Sequence, residues 1–136
     1  MTEQEIKQML ADHREKGDYR IRDIVPATES QLQAFIENAK NANIDLGNLS
    51  DLIQYYKVNN NFFGYFACDD IMIFEWYEDE QSCLWLGCVD MNVFRYFPET
   101  HKWTIGNAGD DSYGKDYEFN NLKDMFAKAS NDGMLN

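Results

Sequence analysis

Four stretches of the chain repeat one pattern: apolar residues at i, i+3, i+4 and i+7, the spacing that lines one side of a helix. They are Ile6, Met9, Leu10 and His13; then Leu32, Phe35, Ile36 and Ala39; then Leu49, Leu52, Ile53 and Tyr56; and finally Leu122, Met125, Phe126 and Ala129. Thr2 stands three residues before Glu5, and Thr28 three before Gln31. The first two helices can therefore open on capping boxes, in which each side chain serves the other residue's backbone N–H. The third helix is entered through Gly47-Asn48 and the fourth through Asn120-Asn121. An Asn there can accept hydrogen bonds from the free N–H groups of the first turn. Each predicted helix has one apolar stripe and a polar back, so each must lie on something.

The middle of the chain supplies the support. Residues 62–106 are dense in aromatic and β-branched side chains. The pattern predicts strands over Phe62–Cys68, Ile71–Tyr77, Cys83–Val89, Val93–Phe97 and Lys102–Ile105, with a short early strand near Tyr19–Ile24. The connectors carry turn chemistry: Asp69-Asp70, Glu78-Asp79-Glu80-Gln81, Asp90, and Pro98-Glu99-Thr100-His101. Connectors this short favour antiparallel pairing and leave no room for crossover helices. Helices first, then a strand meander, then a closing helix is the order of an α+β fold. The expectation is one domain over residues 1–136, with a core over 19–129. It has a mainly antiparallel central sheet of about five to six strands, with helices on one face. The other face, or an edge, is expected to look outward. Asn107 to Tyr117 is the expected exposed loop, and the chain from Asn131 a frayed tail.

Composition agrees with a folded body. The chain has 136 residues, 44% hydrophobic and 15% aromatic, which excludes global disorder and low-complexity classes. No apolar stretch approaches the ~20 residues of a membrane helix. The N-terminus lacks the cationic start and apolar core of a signal peptide, so the cytoplasm is the expected location. Charge changes the picture more. Twelve Lys and Arg face 24 Asp and Glu, a formal net charge of −12. Such a chain repels nucleic-acid phosphate and anionic membrane, and a macromolecule it attracts electrostatically should be basic.

Candidate chemistry is sparse. His13 ends an apolar stripe and reads as a buried structural residue, while His101 falls in a hairpin turn. Cys68, Cys83 and Cys88 form no Cys-x-x-Cys pair and read as small buried hydrophobes in a reducing compartment. In a regular strand the odd offset of Cys83 and Cys88 sends their side chains to opposite faces, which argues against shared metal ligation. An EF-hand loop with Gly114 at its sixth position would place Gly109, Asp111 and Tyr113 where oxygen ligands belong, and the pattern fails. There is no phosphate-binding glycine loop and no nucleophile elbow. No catalytic residue, metal or cofactor is expected. What stands out is a Trp and a Tyr inside an anionic run, Glu75-Trp76-Tyr77-Glu78-Asp79-Glu80. Facing outward, a ring with an acidic rim has the makings of an interface hot spot; facing inward, both rings are core at a strand end. Asp69 and Asp70 belong to the same patch, and Asp110 and Asp111 form a second.

Several stretches also resemble the SUKH superfamily, the Smi/Knr-like proteins. Val25-Pro26-Ala27-Thr28-Glu29-Ser30-Gln31-Leu32-Gln33-Ala34-Phe35 is similar to the family's opening helix. Asn43-Ile44-Asp45-Leu46, followed by Leu49 to Val58, is similar to the next segment, with Gly47 near the family's usual Pro and Asn59-Asn60-Asn61 in place of Asn-Gly. Leu86-Gly87 and Asn92-Val93-Phe94-Arg95-Tyr96 follow in the strand block, and Phe119-Asn120-Asn121-Leu122-Lys123-Asp124-Met125-Phe126 resembles the closing helix. The likeness spans residues 24–129. It implies a non-enzymatic α+β domain. Many bacterial members are immunity proteins that neutralise a toxin domain, often a nuclease, and fungal relatives are scaffolds in cell-wall regulation. Function carried across a fold is an analogy. The first expectation is an intracellular immunity protein that docks a basic toxin through Asp69, Asp70, Glu75, Trp76, Tyr77, Glu78, Asp79, Glu80, Asp110 and Asp111. The alternatives are a regulatory scaffold and, third, a small enzyme or ligand-binding module using a pocket beside the sheet.

Overall fold

The structure, a computed structural model, describes residues 1–16, 21, 23–63, 67–75, 82–107 and 117–131, with the backbone alone for 72–75, 82 and 107. Its helices are α1 (Glu3–Glu15), α2 (Glu29–Asn41), α3 (Ser50–Val58) and α4 (Leu122–Asn131). Its strands are β1 (Met72–Glu75), β2 (Ser82–Val89), β3 (Asn92–Phe97), β4 (Lys102–Asn107) and a three-residue β5 (Tyr117–Phe119). The strands pair in sequence order, β1-β2-β3-β4-β5, each antiparallel to the next. The class is α+β with an antiparallel meander, as the element order implies.

The helix starts follow local chemistry. Both capping boxes form: Thr2 Oγ1 accepts from Glu5 N at 3.2 Å, and Thr28 Oγ1 accepts from Gln31 N at 3.1 Å. Asn121 caps α4, its Oδ1 accepting from Asp124 N at 2.8 Å. The third helix differs. Gly47 and Asn48 lie inside a 3-10 turn over Leu46–Leu49, and the cap is Asp45, whose carboxylate accepts from Gly47 N at 2.9 Å. The helix then begins at Ser50 without a side-chain cap.

Four further expectations are corrected. Phe62 to Cys68 is not a strand among its described residues. An isolated bridge joins Asn61 to Ala67, and Cys68 opens a 3-10 turn that runs to Asp70. Phe63 turns the chain with φ at 57°, left-handed backbone that costs a side-chain-bearing residue about 1–2 kcal/mol. Its ring repays this by lying 4.3 Å from Phe94 and 5.0 Å from Phe126, centroid to centroid. Near Tyr19–Ile24, Ile21 is in a 3-10 turn and Asp23 and Ile24 are not in a strand, while 19, 20 and 22 lie outside the described residues. Asn107 ends β4 and Tyr117 opens β5, so the two ends of the expected loop are strand; its interior, 108–116, lies outside the described residues. Asn131 is the last residue of α4 rather than the first of a tail, and the rest of the expected tail, 132–136, lies outside the described residues.

The sheet has two unlike faces. Leu84, Phe94, Tyr96, Trp103 and Ile105 join side chains from all four helices in one core cluster. Phe62 is its hub: its ring lies 4.2 Å from Tyr55, 6.1 Å from Phe126 and 6.3 Å from Trp103. The register puts Trp85, Cys88, Val93, Arg95 and Thr104 on the other face. Cys83, Val93, Phe97 and Thr104 are buried there, yet the three apolar ones stay outside the helix-side cluster. Of the two surfaces expected to look outward, the other face or an edge, the other face is therefore buried at these four residues.

The cysteines follow from an irregularity in β2. Trp85 pairs with Arg95, but the next pair is Gly87 with Phe94, leaving Leu86 as a bulge. The extra residue reverses the alternation. Cys83 and Cys88 therefore share a face, contrary to the regular-strand expectation. Four register steps of ~3.3 Å still separate them by roughly 13 Å, too far for a disulfide or one metal ion.

Candidate functional site

Of the ten partner-binding candidates, the structure describes three. Asp69 and Asp70 lie in the 3-10 turn Cys68–Asp70, Asp70 exposed and Asp69 half-buried. Glu75 ends β1. Trp76, Tyr77, Glu78, Asp79, Glu80, Asp110 and Asp111 lie outside the described residues.

The Asp69 corner is built from residues far apart in sequence. α2 packs against the Cys68–Asp70 turn. Gln31, the third residue of α2, does two jobs. Its Oε1 accepts from Thr28 N at 3.0 Å, closing the capping box, and its Nε2 donates to Asp69 Oδ1 at 3.3 Å. A Glu could fill the capping role equally well. It could not donate to Asp69, and it would add a like charge beside it. The choice of Gln over Glu is therefore explained by the neighbour, 38 positions away.

Asn59 anchors the same corner from beneath. It is 3% exposed. Its Oδ1 accepts from Val25 N at 3.3 Å, and its Nδ2 donates to Asn61 O at 3.1 Å. Tyr55 donates its hydroxyl to the same carbonyl at 2.7 Å, and burial holds that phenol well above its ordinary pKa. Asn60 continues the chain of bonds: its N donates to Val25 O at 2.7 Å, and its O accepts from Cys68 N at 2.9 Å. The segment Val25–Ala27, the Asn59–Asn61 turn and Asp69 are thus one hydrogen-bonded unit. Val25, 53% exposed, and Pro26 sit on its surface. The sequence offered one signal for this unit, the Asn59-Asn60-Asn61 run after an apolar helix, and none for its connection to Gln31.

The cysteines and histidines make no reactive constellation among the described residues. Burial pushes the Cys68 thiol up to about 11, with Asp69 adding to the effect. Cys88 is raised as well, by burial first; Arg95 opposes and Asp90 reinforces, and Sγ lies 2.9 Å from Asp90 O. Thiols held protonated are poor nucleophiles. Burial also lowers the pKa of Arg95 from its ordinary value, while the adjacent Cys83 and Cys88 favour its charge. His13 is 6% exposed, with its ring 5.7 Å from Phe126, and His101 is exposed in the β3–β4 hairpin. Among the described residues no group of three or more His, Cys, Asp or Glu side chains could hold a metal ion. No described helix is long and apolar enough to cross a membrane.

A groove of about 320 Å³ opens between α1 and α4, not beside the sheet. Met9, His13 and Ala127 line it together with Glu5, Asp12, Lys16 and Lys123. Its carboxylates are already engaged. Glu5 bonds Thr2, which holds it below its ordinary pKa, and Asp12 accepts from Gln8 Nε2 at 2.9 Å. With both signs of charge at the rim, the groove selects no class of ion. Comparison with family models, with curated proteins and with solved structures found no match for the chain.

Proposed function

We propose that this chain is an intracellular, non-enzymatic immunity-type protein that binds and neutralises a basic bacterial toxin through an acidic surface. The observation that carries the reading is the charge: 24 acidic against 12 basic residues in a chain of 136. Nuclease toxins grip phosphate with clustered Lys and Arg. An inhibitor with a net charge of −12 would be steered to that surface and could occupy it in place of the nucleic acid. The resemblance over residues 24–129 supports the same reading. So do the hydrogen bonds that hold the Asp69 corner, because an acidic group positioned before docking loses less freedom on binding.

The test is co-expression with the toxin encoded beside this chain, with growth as the readout. The native chain should restore growth. Reversing Glu78, Asp79 and Glu80 to Lys, or Asp69 and Asp70 to Lys, should abolish the rescue while the protein stays folded. Rescue that survives both reversals would remove the acidic surface from the account. The association rate should also fall steeply with ionic strength, since exposed charges are screened beyond ~8–10 Å.

A further inference from the structure

We draw no further inference here: the strongest candidate, the groove of about 320 Å³ between α1 and α4, carries carboxylates and lysines together at its rim, and nothing in the structure shows what would occupy it.

Discussion

The two faces of the sheet are buried by different chemistry. On the helix side Leu84, Phe94, Tyr96, Trp103 and Ile105 meet rings from α3, α4 and the Phe62–Phe63 turn. Two hydroxyls there are bonded: Tyr96 donates to Asn48 O at 2.6 Å, and Tyr55 to Asn61 O. On the other side the buried residues are Cys83, Val93, Phe97 and Thr104, around a half-buried Arg95. Thr104 Oγ1 is buried with no hydrogen-bond partner among the described residues. One face is an aromatic core in which the Tyr55 and Tyr96 hydroxyls are bonded. The other sets Phe97 beside Cys83, Val93 and Thr104, and the Thr104 hydroxyl has no hydrogen-bond partner among the described residues. Most of the largest buried side chains stand on the helix side, so truncations there are expected to cost more.

The largest test of that difference is a pair of truncations. Phe62→Ala removes the ring that joins Tyr55, Phe126 and Trp103, and should cost about 3–5 kcal/mol in denaturant unfolding. Cys83→Ala, equally buried, should cost only about 1 kcal/mol. Equal losses would dissolve the contrast.

Alkali should act through the helix side next. Burial raises the pKa of Tyr55 and Tyr56 well above 10.0, and that of Tyr96 to about 12. An unfolded chain releases these protons near pH 10, while the folded chain keeps them. Stability is therefore full below the unfolded pKa and falls as pH rises above it. Each fully buried phenol contributes up to about 1.4 kcal/mol per pH unit. Cys68, raised from 9.0 to about 11, should start the decline nearer pH 9. A flat stability profile from pH 8 to 11 would contradict this.

Smaller effects probe the second face. Thr104→Val keeps the shape and removes the unsatisfied hydroxyl, so unfolding should become harder by about 1 kcal/mol. A loss instead would mean that the hydroxyl has a partner. Thiol labelling makes the finest distinction. Of the three cysteine thiols only Cys88 is partly exposed. It alone should react in the folded chain, slowly because its thiol is held protonated, and all three should react in denaturant.

What could be read from sequence divides by range. The capping boxes at Thr2 and Thr28 and the Asn121 cap are settled within three residues, so pattern and outcome agree. The hairpins at Asp90 and at Pro98–His101 are nearly as local, each using one left-handed residue, Asp90 at φ 54° and His101 at φ 58°. The Phe62–Cys68 strand misled because its rings suit a strand and a buried turn equally well. Only contact with Phe94 and Phe126 pays for the unusual backbone of Phe63. β5 was hidden because three residues are too few to show a period. At the candidate site Asp69 and Asp70 were visible as acids, while the bond from Gln31 to Asp69, and those that tie Asn60 to Gln31 and Asn59 to Val25, depend on contacts 29 to 38 positions apart.

The bulge in β2 bears on how this strand can change in length. Removing one residue from inside a sheet normally turns every later side chain inside out. Here Leu86 is the residue without a pairing partner of its own, and Gly87 next to it brings no side chain. Deleting Leu86 would let Gly87, Cys88 and Val89 keep their present neighbours, Phe94, Val93 and Asn92, at the expense of one buried leucine. The middle of the sheet thus contains a position where descendants of this chain can gain or shed a residue and still fold the same way.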